Sequence, residues 1–165
     1  MPNWCEGNIR FRGKQKDIKR FLMNEIVYCK YENGETIQEK PTIEDHDWYL
    51  LITKPDHSWF YINGTRRNFF ETDLLEIYIE EEDPEKDIIV CVDDYRVAWS
   101  FEKCEAWQEI VKKYNFDVKM TGFEKGMHFS QIKTILRDGI VKDEIKEYIN
   151  DDDWMWNCPE PNFGG

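Results

Sequence analysis

The sequence predicts an α+β sandwich of split β-α-β type, an antiparallel sheet with helices on one face. Three observations predict it. Residues 5–12 alternate, with Cys5, Gly7, Ile9 and Phe11 facing one way and Glu6, Asn8, Arg10 and Arg12 the other, the period of a half-buried strand. Two later segments switch to helical period. The order of elements is strand, helix, strands, helix, two strands, so the first strand has to find partners far along the chain.

In chain order, Gly13 ends the first strand, and residues 14–25 follow as a helix whose Ile18, Phe21, Leu22 and Ile26 make one apolar stripe. Residues 26–30 and 36–39 flank Glu32-Asn33-Gly34-Glu35, a hairpin signal because both central residues of the turn need positive φ. Residues 40–72 hold aromatic clusters (Trp48-Tyr49, Trp59-Phe60-Tyr61, Phe69-Phe70) broken by Pro41, Pro55 and Gly64, and read as an irregular insertion that packs aromatics. Residues 74–80 and 88–99 read as strands joined by the acidic turn 81–87. Ser100 suits the N-cap of a second helix with Cys104, Trp107, Val111 and Tyr114 on its stripe and Lys112 and Lys113 at its C-terminal end. Phe116, Val118 and Met120 alternate with polar neighbours as a strand. Glu124-Lys125-Gly126 is a turn with Gly placed for positive φ, and residues 129–136 pair back. Residues 143–149 read as a short helix carrying Ile145, Tyr148 and Ile149. The chain divides into one domain over 1–150, with an insertion at about 26–86, and an acidic, aromatic tail over 151–165.

A chain of 165 residues buries roughly two-thirds of its unfolded surface and needs no disulfide or metal to fold. With 34 acidic and 22 basic residues its net charge is −12, which repels nucleic-acid phosphate, so direct DNA or RNA binding is not expected. Acidity serves solubility, and it also suits a partner with a basic surface. No apolar run approaches the ~20 residues that span a bilayer, and the start, Met1-Pro2-Asn3-Trp4-Cys5, carries no secretory signal. Five widely spaced cysteines with no C-x-x-C fit reduced thiols in a cytoplasm.

Met1-Pro2-Asn3-Trp4-Cys5-Glu6-Gly7-Asn8-Ile9 followed by Gly13 resembles the opening of the YubB-type ferredoxin-like family, small proteins of phages and plasmids. Ala98-Trp99-Ser100 resembles the family's strand ending before a helix, although Phe101-Glu102 stand where the family usually has two prolines. Gly122-Phe123-Glu124-Lys125-Gly126-Met127-His128-Phe129 resembles its final turn, and Asn63-Gly64-Thr65 a central G-T element. The resemblance implies a ferredoxin-like fold and a mobile-element origin, hence the cytoplasm of an infected or element-carrying cell. It supplies no established activity.

Each candidate for chemistry has a plainer reading. Asp45, His46, Asp56 and His57 lack ligand spacing for a metal and read as a solvated loop. Cys5 and Cys104 lie on apolar phases and read as core thiols. His128 has Glu124 nearby but no nucleophile, and Asp93-Asp94 reads as a strand end facing water. No nucleotide-binding or hydrolase motif is present. No catalytic residue, metal or cofactor is therefore assigned. The expectation from the residues is a non-catalytic binding protein; that it comes from a phage or other mobile element, acts on a host protein and interferes with host defence is what the resemblance to the YubB-type family implies. The alternative is a small-nucleotide binder that sequesters a signalling molecule, with Arg66, Arg67 and Arg96 for its phosphates. An enzyme of unrecognised type is a third reading. In the tail, Asp151, Asp152 and Asp153 precede Trp154 and Trp156, which either dock on a partner or fold back on the sheet. A homo-oligomer is compatible with any of these.

Overall fold

The structure, a computed structural model, describes residues 3–46, 48–65, 67–79, 83–101 and 105–164. Its centre is β1 (Trp4–Lys14), which pairs antiparallel with β9 (Asp87–Ala98) on one side and β10 (Phe116–Glu124) on the other. The inward phase read from the alternation is the buried one, with Cys5, Ile9 and Phe11 fully enclosed. Gly7 is required there, because a Cβ would run into the Thr121 carbonyl of β10. Beyond β10 the sheet continues through β11 (Phe129–Ile135) to β12 (Val141–Glu147). Beyond β9 it continues through β7 (Asn68–Phe70), β6 (Ser58–Ile62) and β2 (Ile26–Glu32) to β3 (Glu35–Glu39). A separate three-stranded sheet is made by β4 (Thr42–Asp45), β5 (Tyr49–Thr53) and β8 (Leu74–Tyr78).

Two helices, α1 (Gln15–Glu25) and α2 (Glu105–Tyr114), cover the inner face of the large sheet. The stripe Ile18, Phe21 and Leu22 of α1 meets Trp107, Val111 and Tyr114 of α2 in one core with Phe11 and Phe116. Leu50, Ile52, Leu75 and Ile77 of the small sheet join the same core. Among the described residues, no helix covers the outer face of the large sheet over β1, β10 and β11 except near the C-terminus.

The architecture corrects the expected one. The chain is mostly β, built on a nine-stranded antiparallel sheet, and is not a compact ferredoxin-like split β-α-β sandwich. The stretch read as an irregular insertion is the reason. In Trp59-Phe60-Tyr61 the middle ring is buried while Trp59 is exposed, and Leu50 and Ile52 alternate with half-buried neighbours, so these clusters are strands with period two. They widen the sheet and supply a second one. Residues 143–149 are not a helix, because 141–147 form edge strand β12. The i, i+4 spacing of Ile145 and Ile149 suits a helix, but residues 141–147 pair along their whole length with β11 as an exposed edge strand, so the neighbouring strand and not the segment's own pattern decides the structure. Buried Gln131 and Lys133 on β11 tie Asp143 to the sheet at 2.7 and 2.9 Å.

Asn33 and Gly34 adopt φ of 53° and 89° in the β2–β3 hairpin, as the Asn-Gly pair requires. In the β10–β11 turn the positive φ falls on His128, not on Gly126. Glu124 holds that turn by accepting hydrogen bonds from the Gly126 and Met127 amides at 2.9 and 2.5 Å. The Ser100 amide donates to the Ala98 carbonyl at 3.1 Å, and α2 is described from Glu105; residues 102–104 between them, with the Cys104 assignment, lie outside the described residues. Cys5, Cys29, Cys91 and Cys158 are free thiols, and burial pushes the Cys5 thiol far above its ordinary value. No helix of the described residues is long and apolar enough to cross a membrane.

Candidate binding surface

The tail begins as a short helix, α3 (Asp151–Asn157), and stops before Pro159. Asn150 caps it by accepting from the Asp153 amide at 3.0 Å. The three aspartates have local duties. Asp151 meets His128 at 2.6 Å, and Asp153 accepts from the Ile149 amide at 2.7 Å and from Asn157. The Ile149 amide and the Asn157 amide hold the Asp153 carboxyl below its ordinary range. Asp152 is exposed. All three sit at the N-terminal turn, where the helix dipole favours negative charge.

The two tail tryptophans part company. Trp154 is buried with Phe123, Tyr148 and Cys158, its ring edge-on to Tyr148 at 5.1 Å and its indole N–H donating to the Pro161 carbonyl at 2.8 Å. Trp156 is 87% exposed, and Met155 before it in sequence and Ile149 ahead of α3 are exposed too. Trp156, Asn157 and Pro159 flank an open groove whose sheet side carries Ile132, Glu144 and Lys146. Ile145 on edge strand β12 adds a further exposed apolar group to the groove.

Of the arginines proposed for a nucleotide, Arg67 and Arg96 belong to the described residues. Arg96 lies between Glu6 (3.5 Å) and Glu71, with its guanidinium 4.8 Å from the Trp4 ring centre. Arg67 is exposed at a φ of 54°, and Arg66 lies outside the described residues. The remaining candidates are also accounted for locally. His46 stacks on Tyr49, Asp45 pairs with Lys19, and Asp56 and His57 sit in the β5–β6 turn. Asp93 and Asp94 occupy the β-bulge where the register of β9 shifts opposite Asn8.

Two buried carboxylates tie elements together. Glu25, at the end of α1, accepts hydrogen bonds from the Tyr114 hydroxyl at 2.5 Å, Lys113 at 2.7 Å and Asn63 at 3.0 Å. Burial alone would raise its pKa, yet these donors hold it below the ordinary range. The cleft around it, lined also by Arg20 and Asn24, therefore has its central acceptor saturated. Asp117 on β10 bridges Arg12 at 2.7 Å and the side chain and amide of Arg137 at 3.2 and 2.9 Å. Burial opposes its charge, but Arg137 and Arg12 prevail and its pKa falls from 3.8 to about 2. Its folded pKa lies below the unfolded one, so its contribution is present above pH ~4 and is lost as pH falls toward 2. The expected result is that Asp117→Asn removes about 2 kcal/mol of stability at pH 7 and flattens the acid limb of a urea-midpoint profile. A variant with the same acid limb as the wild type would show that the carboxylate is not held by these arginines.

Compared with known proteins, the chain matches no family model, no curated protein and no solved structure.

Sequence reasoning passed over one group of residues. Arg10, Lys119 and Lys142 share the outer face on neighbouring strands, since Arg10 pairs with Lys119, Lys119 with Thr134, and Thr134 with Lys142. The outward phase of β1 was legible for Arg10, and that of β10 for Lys119. Their meeting depends on a register that one strand cannot disclose.

Proposed function

We propose that this protein is a non-catalytic binding protein that grips its partner along its C-terminal edge, with Trp156 as the anchor. The observation that carries this reading is the exposure of Trp156 at a groove that Ile132 and the exposed Ile145 also line. Large aromatics that a fold leaves in water at the rim of a concave surface are the usual hot spots of protein interfaces. A host protein as the partner, interference with host defence as the outcome and a mobile-element origin are what the resemblance of residues 1–9, 98–100 and 122–129 to YubB-type proteins implies. The nucleotide-sequestering alternative has less support, because Arg96 already faces two carboxylates.

The test uses the full chain as bait in lysate of the host, against Trp156→Ala. Trp156 packs little of its surface on the fold, so the variant should melt within a degree or two of the wild type. Proteins retained by the wild type should be lost from the variant. Equal retention by both chains would overturn this surface as the binding site.

A further inference from the structure

We propose that the uncovered outer face of the large sheet binds single-stranded nucleic acid, its phosphates lying along a row of cations that crosses the strands. The row is Lys142 on β12, Thr134 on β11, Lys119 on β10 and Arg10 on β1, each directly opposite the next. With neighbouring strands about 4.8 Å apart, it spans about 14 Å.

Its charges are uncompensated. Arg10, Lys119 and Lys142 are exposed, and none forms an ion pair with a described residue. Three other cations on this face are neutralised, Arg12 by Asp117, Lys14 by Glu85 and Arg96 by Glu6 and Glu71, while Lys146 lies over the Tyr148 ring and donates to the Asn157 carbonyl at 3.4 Å. Arg10 and Lys119 also stand directly opposite each other, an arrangement that costs stability in an antiparallel pair. A chain with 34 acidic residues thus leaves a like-charged row bare in mid-sheet, and an anion laid on it would relieve the repulsion. The net charge of −12 does not forbid this, because salt screens charges more than about 10 Å apart while leaving short-range contacts in force.

The geometry favours a phosphodiester strand over an acidic peptide. An extended peptide recognised by sheet pairing runs along an edge, whereas this row crosses the sheet at right angles and offers only side chains. The ligand must therefore carry its charges along its own backbone. The neighbouring row, Asn8, Thr121, Ile132 and Glu144, supplies a hydroxyl and an amide for polar contacts. Ile132 leads into the groove beside Trp156, whose exposed ring can stack on any base. Glu144, at the far end of that row, directs the strand toward Lys119 and Arg10.

The experiment is fluorescence anisotropy of a labelled dT12 oligonucleotide with the intact protein at several salt concentrations. Binding should weaken with salt, with a log–log slope of about −2, as three phosphate contacts on a single strand predict. The double substitution R10Q/K119Q should weaken binding at least about tenfold while leaving the melting temperature unchanged or slightly raised, since it removes a repulsion. It leaves Trp156 in place, so retention of a protein partner at the C-terminal edge should survive it, which separates failure of the two proposals. No binding at 50 mM salt, or equal binding by wild type and double variant, overturns the proposal. So does displacement of dT12 by polyglutamate of equal length as readily as by unlabelled dT12, which would mark an acidic polypeptide as the ligand.

Discussion

Phe11→Ala should lower the unfolding free energy by about 3–5 kcal/mol, the range for large aromatic truncations in a core. Phe11 is fully buried on the central strand and packs on Phe21 at 5.1 Å, Phe116 at 5.6 Å and Trp107 at 6.4 Å between ring centres. These three rings come from α1, β10 and α2, so the cavity opens where both helices meet the sheet and cannot be filled by moving one side chain. Ile9→Ala, two residues away on the same buried phase, should cost roughly 2–5 kcal/mol. Urea midpoints measure both. A Phe11→Ala midpoint equal to that of the wild type would remove β1 from the core.

That prediction rests on a part of the fold that local pattern discloses. The strand 5–12, the helix after it and the Asn33-Gly34 hairpin are each set by neighbours in sequence: alternation, a 3.6-residue stripe, and residues that tolerate positive φ. The insertion was not legible, because Trp59-Phe60-Tyr61 and Phe69-Phe70 offer rings on both phases. Only pairing with β2 and β9 decides which ring is buried. Residues 141–147 carry apolar side chains only at Val141 and Ile145, a spacing of four that suits a helix, and the contacts that make them a strand, Gln131 and Lys133 to Asp143, come from the facing strand. The candidate site divides in the same way. Trp154 and Trp156 were visible as a pair of large rings in a charged tail, but their opposite fates follow from the turn of α3, which lays Trp154 on Phe123 and Tyr148 and carries Trp156 outward. Arg10, Lys119 and Lys142 are far apart in sequence and unremarkable singly in an acidic chain.

Deleting residues 151–165 should cost at least as much as Trp154→Ala, itself expected at about 3–5 kcal/mol. The tail is part of the fold by three independent ties. Trp154 closes a cluster with Phe123, Tyr148 and Cys158 and donates its indole N–H to Pro161. Asp151 meets His128 in the β10–β11 turn. At the far end Phe163 stacks over Phe123, with ring centres 6.2 Å apart, and the Gly164 amide donates to Glu6 on β1 at 3.2 Å. Truncation therefore strips Phe123 and Tyr148 of their cover, exposing apolar surface worth about 25 cal/mol per Å² and leaving two rings at the end of an open sheet. Apolar burial dominates this sum, since the aspartates of α3 are largely solvated and exposed ion pairs contribute at most about 1 kcal/mol. The contrast between the two tryptophans isolates the cause. Trp154→Ala should account for most of the loss seen on truncation, whereas Trp156→Ala should account for almost none of it. Thermal melts of the three chains decide the matter: a truncated chain that melts with the full-length protein would mean that α3 does not hold Trp154 against the sheet, and that both rings of the tail are free for a partner.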